Sequence, residues 1–338
     1  MRSLAPDLRT MLEPSPTVSV VIPVYNGADV IGPCLESLLR QRYPAESCEI
    51  IVVENGSTDN TTEVVAQYPV RLLHSEERGP AAARNLGIVQ SQAEIVAFTD
   101  ADCIADADWL VRLVEPYADP QIGGVGGAIL AYTHGARNPV EQFSDQYSPL
   151  VNYMSGEGEF LPHLYTANAS YRRDLLDEVG GFNPALITAE DVDLSWRVQL
   201  RTDAKLHYTP DAIIYHRHRA TRAGLGRQYL QYGFGEIILD TLYGRHPGYP
   251  RTRLYQIKRI GRQILALPCY IASMGVRWLR FVSGRATDYE ALVPRLWFLI
   301  ESNNIRGKLR AIIATRFMRD ARRALNRENA ASYIRRFY

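Results

Sequence analysis

The strongest constraint on the fold is a strand-then-helix rhythm repeated four times in the first 130 residues. "VSVVIPV" (18–24), "EIIVVE" (49–54), "VRLLH" (70–74) and "EIVAFTD" (94–100) are short apolar runs rich in β-branched residues. Such runs suit strands buried on both faces. Each is followed by a stretch with helical spacing: 28–41, 57–68, 79–91 and 106–117. Two of these open on cap-forming residues, Ser57-Thr-Asp and Asp106. Alternation of this kind predicts an α/β domain with a mostly parallel sheet and helices on both faces. Ligands of such sheets bind beyond the carboxyl ends of the strands. A further strand is expected at 123–132, then a mixed region to about residue 220, then a helical remainder. "GGVGGA" precedes a strand and opens no helix, so it lacks the context of a dinucleotide-binding loop.

Composition separates the chain into two parts. Its 338 residues carry a net charge of +1, but residues 1–250 hold 19 Lys and Arg against 32 Asp and Glu, and residues 251–338 hold 19 against 5. A basic quarter is therefore attached to an acidic body, and such a patch calls for an anionic partner or a solvated face. Cys34, Cys48, Cys103 and Cys269 lie far apart with no metal-finger spacing, which predicts buried, reduced thiols in a cytoplasmic protein. The proline-bearing first 18 residues have no apolar core and do not read as a secretory signal.

Two acidic centres are candidates for chemistry. Asp100 and Asp102 end the fourth strand, and in extended backbone residues i and i+2 face the same side. The pair reads as a solvated strand end, a general acid/base pair, or a clamp for a divalent cation carrying a diphosphate. A calcium loop is excluded, because its sixth and twelfth positions would be Ala105 and Val111 rather than Gly and Glu. Glu190, Asp191 and Asp193 form the second centre; by themselves they also suit the first turn of a helix. His216 and His218 stand two apart in "IIYHRHR", on one side of an expected strand, so spacing does not choose between them.

The ordered set "VSVVIPVYNG", "EIIVVENGSTDNT", "RGPAAARNLGI", "FTDADC", "GGFNPALITAEDVDLSWRV" and "AIIYHRHRAT" resembles the family 2 glycosyltransferases. The likeness covers residues 17–235. It implies the GT-A fold, Rossmann-like, with inverting sugar transfer from a nucleotide-sugar (UDP-, GDP- or dTDP-linked) to an acceptor hydroxyl, aided by Mg²⁺ or Mn²⁺. By the same resemblance Pro23, Val24 and Tyr25 line the donor base and ribose, and Glu54, where the family usually has Asp, accepts a hydrogen bond from the base. Arg84 approaches the nucleotide, and Asp100 and Ala101 lie in the ribose and metal shell. Asp102 binds the metal, with His216 preferred to His218 as a further ligand. Asp191 is the general base, and Glu190 helps place the acceptor or orient the loop. "GGF" (180–182) is expected to give a flexible approach to the sugar pocket. A sugar-phosphate nucleotidyltransferase is the alternative, since it too uses an acidic metal site on an α/β sheet.

The expected division is a GT-A domain over 17–235 and a basic helical region over 236–338. Within the latter, Ile264–Val276 is apolar for 13 residues, short of the roughly 20 that span a bilayer. It reads as an interfacial helix or as core packed on the body. Processive synthases of the family carry a Gln-x-x-Arg-Trp motif, which "RQYLQYG" (227–233) lacks, so transfer of a single sugar is expected. The implied partners are the donor, a glycan or lipid-linked acceptor, and an anionic membrane surface; no nucleic acid is expected. The expected location is cytoplasmic, with a peripheral seat on the inner face of the cell membrane as its extension.

Overall fold

A computed structural model describes residues 17–132, 137–147, 150–152, 160–251 and 253–317. The N-terminal lead-in and the last part of the basic tail lie outside the described residues. The four expected βα units are present as β1 (Val18–Val24), α1 (Ile31–Leu39), β2 (Cys48–Glu54), α2 (Thr61–Val65), β3 (Arg71–His74), α3 (Pro80–Gln90), β4 (Ile95–Phe98), β5 (Cys103–Ala105) and α4 (Trp109–Val114). They are followed by β6 (Ile122–Ala131), α5 (Pro139–Tyr147), β7 (Ala169–Arg172), α6 (Arg173–Val179), α7 (Glu190–Arg201), β8 (Lys205–His216), α8 (Arg222–Tyr243), α9 (Arg253–Val282) and α10 (Asp288–Phe317).

The strands form one eight-stranded sheet in the order β3-β2-β1-β4-β7-β6-β8-β5. The first four strands pair in parallel, as expected. Beyond β4 the pairing is mixed: β6 and β8 run parallel, so the sheet as a whole is mostly parallel, as expected. β7 enters antiparallel between β4 and β6, and β5 pairs antiparallel with β8. β7 supplies little apolar periodicity, only "ASYR", which is why its sequence gave no strand signal. Its neighbours' open backbone edges recruit it.

Alternation along β1 feeds two cores. Val18, Val20, Ile22 and Val24 pack with Ile31, Leu35, Trp109 and Leu110. Val21 faces the other way, onto Phe98, Phe182, Leu194 and Val198. Two local expectations are corrected. Ser57 does not cap α2; its hydroxyl accepts from Asn26 N (2.9 Å), and Asp59 Oδ1 accepts from Thr61 N (3.2 Å). "GGF" is no mobile approach: Gly180 and Gly181 hold left-handed backbone at the end of α6, and Phe182 is fully buried against Phe98. Of the cysteines, Cys34 and Cys103 are buried and all four are free, but Cys269 is exposed.

Residue 235, the expected end of the first domain, lies within α8. α8 and α10 meet closely through glycines. A Cβ on Gly233 would lie 2.1 Å from Asn304 O, and one on Gly307 would lie 2.0 Å from Leu230 O. This region is not loosely appended. Phe234, Ile237 and Ile238 pack on Ala185 and Leu186, and Leu239 and Tyr249 pack on Val192 and Trp196 of α7. The helices therefore brace the element that carries the second acidic centre.

Candidate active site

The carboxyl ends of β1, β2 and β4, the start of α7 and the inner faces of α8 and α9 enclose a cleft of about 1370 Å³. At its β1 end the chain turns sharply, with Asn26 in left-handed backbone (φ 49°). Asn26 Oδ1 accepts from Thr58 N (2.8 Å), stitching the β1 loop to the β2 loop. Asn55 extends the stitching, accepting from Gly79 N (2.7 Å) and donating to Glu77 O (2.7 Å). Pro23, Val24 and Tyr25 line the cleft, as does Asn55. Glu54 does not. It is buried, accepts from Ser57 N and stands 3.2 Å from His74 Nδ1. Burial pushes its carboxyl up, but hydrogen bonds from Ser57 and His74 outweigh burial and hold it below the usual carboxylate range.

Past β4, the loop Asp100-Ala101-Asp102 lines the cleft floor. Arg84 reaches this loop from α3. Its Nη2 donates to Asp100 Oδ1 and its Nη1 to Glu190 Oε1, both at 2.8 Å. Arg84 is only 4% exposed, so one buried guanidinium joins the two acidic centres. The family resemblance implies that Arg84 approaches the nucleotide; the structure adds this bridge, which no spacing reveals because its partners lie 16 and 106 residues away.

The second centre is set by a single backbone feature. Ala189, the residue before α7, is left-handed (φ 61°), an uncommon conformation for a residue with a Cβ. It turns the chain so that α7 begins at the cleft wall. The three acids of its first turn then divide. Glu190 is held by Arg84. Asp193 pairs with Arg197 Nε (2.8 Å) and accepts from Tyr243 OH (2.7 Å), tying α7 to α8. Asp191 lines the cleft, with Oδ1 accepting from Val192 N (2.8 Å). Burial pushes the Asp191 carboxyl up to about 7, the neighbouring Glu190 charge adds to this, and Arg84 opposes it.

β5 and β8 bring the histidine in. Their antiparallel register sets Cys103 opposite His216, and Arg217 N donates to Asp102 O (3.0 Å). His216 Nε2 consequently stands 3.6 Å from Asp102 Oδ1, while its Nδ1 is buried with no hydrogen-bond partner. His218 packs edge-on against the His216 ring (5.6 Å between centroids) and does not line the cleft; burial and the His216 ring push it down to about 4. Among the described residues no group of three His, Cys, Asp or Glu side chains converges as a metal cage. Asp102 with His216 fits a divalent cation that fills its remaining positions with phosphate oxygens and water, as Mg²⁺ and Mn²⁺ commonly do. Four contributors were missed in the sequence. Arg219 Nη1 lies 3.4 Å from Asp102 Oδ2. Gln228, Gln231 and Tyr232 line the cleft from one face of α8; their three- and four-residue spacing was the available signal.

A solved structure matches this architecture. Mannosyltransferase PcManGT from Pyrobaculum calidifontis, in complex with GDP-Man and Mn²⁺, superposes with a TM-score of 0.61 at 21% identity, over 88% of this chain and 87% of that one. The fold is thus that of the GT-A glycosyltransferases. In sequence, residues 19–180 match the family model described as Glycosyl transferase family 2. Glycosyltransferase AglE of Haloferax volcanii is 34% identical over 267 residues, 76% of this chain and 80% of its own length. Pre-mycofactocin glycosyltransferase of Mycobacterium tuberculosis is 34% identical over 211 residues, 60% of this chain and 43% of that protein. The chain belongs to glycosyl transferase family 2 and is a glycosyltransferase. These relatives give the nucleotidyltransferase alternative no support.

Proposed function

We propose that this glycosyltransferase moves one sugar from a nucleoside-diphosphate sugar to an acceptor hydroxyl, with inversion at the anomeric carbon. The observation that carries the reading is Asp191: a cleft-facing carboxylate pushed up to about 7, in the same cavity as Asp102 and His216. A group with that proton affinity is matched to general-base work near neutral pH. Asp191 takes the proton of the acceptor hydroxyl as its oxygen bonds to the anomeric carbon. The bond from that carbon to the diphosphate breaks, and the leaving group departs with the electron pair. A single displacement of this kind inverts the centre.

Pro23, Val24, Tyr25 and Asn55 would receive the nucleoside, with Asp100 and Ala101 beside the ribose. Asp102 and His216 would hold Mg²⁺ or Mn²⁺, which when bound offsets the charge developing on the leaving diphosphate. Arg219 adds a positive charge at the same point. Glu190 acts through Arg84, fixing α7 against the donor loop. The donor class is supported by the GDP-Man bound in PcManGT; we read the base as uracil, guanine or thymine. The acceptor reading is a glycan or a lipid-linked hydroxyl, and the lipid-linked form would place the enzyme peripherally on a membrane.

Asp191→Asn is expected to abolish transfer while the donor still binds, measured by product chromatography and titration calorimetry with Mn²⁺. Normal turnover by this variant would overturn the base assignment. Release of pyrophosphate in place of a nucleoside diphosphate by the parent enzyme would overturn sugar transfer itself.

A further inference from the structure

Helix α9 turns its polar contacts inward and its large apolar side chains outward. On the inner side Gln256 is buried, and Gln263 donates to Glu301 (2.7 Å) and Asn304 (3.0 Å) and accepts from the buried Lys308 (2.9 Å). Arg259 pairs there with Glu236 (3.0 Å). On the outer side Leu254, Ile257, Leu265, Val276, Leu279 and Val282 are 58–76% exposed. Their successive separations are close to whole helical turns or fall within one turn of each other, so the six share one stripe. The stripe runs about 40 Å, at 1.5 Å per residue. Scattered exposed apolar residues are ordinary, but six large ones on one side of a helix over this length mark an interaction surface. A helix on a solvated surface shows the reverse polarity.

Charge selects the occupant. Residues 253–282 contain no Asp or Glu, and Lys258, Arg262 and Arg280 are exposed along one edge of the stripe. A second copy laid on the stripe would set these basic edges against each other. Residues 318–338 hold six Arg against two acids, so that segment is repelled too. An anionic lipid surface offers both an apolar phase and negative charge. Among the described residues no helix is long and apolar enough to cross a membrane, so the geometry is in-plane. At its N-terminal end α9 also borders the cleft, which Arg251, Tyr255 and Arg259 line.

We propose that α9 docks the protein on an anionic phospholipid bilayer, with its outer stripe immersed in the interface, and that the adjoining cleft mouth thereby receives a lipid-linked acceptor. The acceptor half of this rests on the glycosyl-transfer reading; the docking half does not. The test is flotation of the full chain with vesicles of phosphatidylcholine alone or mixed with phosphatidylglycerol. The parent is expected to float with the anionic vesicles only. Leu265→Glu/Leu279→Glu is expected to lower the bound fraction at least about tenfold. Both positions face solvent, so thermal melting of this variant should match the parent. Trp278, half-exposed beside the stripe, should be quenched by brominated lipid. Failure of the parent to float, or equal flotation of the double variant, overturns docking. A dimer in ultracentrifugation that the double variant abolishes, without flotation, assigns the stripe to a second copy and also overturns it. Turnover with a soluble acceptor analogue, measured without vesicles, separates the readings. If it persists while flotation fails, only docking falls; if it is absent while flotation succeeds, sugar transfer falls.

Discussion

Arg84→Met removes the cation between the two acidic centres and keeps most of the side-chain volume. The guanidinium is 2.8 Å from both Asp100 and Glu190. Glu190 is buried, whereas the Asp100 side chain is 32% exposed, so the larger loss lies at Glu190. Removing one partner of a buried pair costs about 3–5 kcal/mol, because it strands the other charge. At the lower end of about 2–4 °C per kcal/mol for longer chains, Tm falls by roughly 6–10 °C. Arg84 also opposes the upward shift of Asp191. Without it the Asp191 pKa rises further, the ionised fraction at pH 7 falls, and the acid limb of kcat/KM moves to higher pH. Adding Glu190→Gln to Arg84→Met should recover part of the lost Tm, since the stranded charge is gone; a double-mutant cycle measures this coupling. Arg84→Lys keeps the charge but presents no planar fork, so its Tm should fall between the parent and Arg84→Met. Calorimetry and pH-rate profiles are the assays. An unchanged Tm together with an unmoved acid limb in Arg84→Met would refute the bridge.

The parent kcat/KM should fall about tenfold per pH unit below an acid limb near 7, because only ionised Asp191 accepts the proton. Stability should respond in the opposite sense. The folded-state pKa of Asp191 is raised, so as pH climbs from about 4 to 7 the unfolded chain releases this proton first, and stability is lost. Asp191→Asn should therefore gain more Tm over the parent at pH 8 than at pH 5, read by thermal melting. EDTA should stop transfer and Mn²⁺ restore it. Asp102→Asn and His216→Ala should each raise the Mn²⁺ needed for half-maximal activity by at least about tenfold, a loss that even outer partners of a metal produce.

Sequence alone determined the first half of the sheet and the identities of the acids. Runs such as "VSVVIPV" and "EIIVVE" have one good solution, a strand covered on both faces, and their order places Asp100 and Asp102 at a ligand-binding edge. It also supplied the acids of α7, but not their division of labour. That division depends on neighbours remote in sequence: Arg84 for Glu190, Arg197 and Tyr243 for Asp193, and the cleft for Asp191. β7 was illegible because four residues carry no period, and its pairing comes from edges left open by β4 and β6. His216 and His218 were indistinguishable by spacing, since residues two apart share a strand face. Only the register of β5 on β8 set His216 beside Asp102. Charge and apolar content are local properties of the chain and can be read from it. Which carboxylate meets which cation, and which side of α9 meets solvent, are long-range facts that exist only once the helices and the sheet have packed.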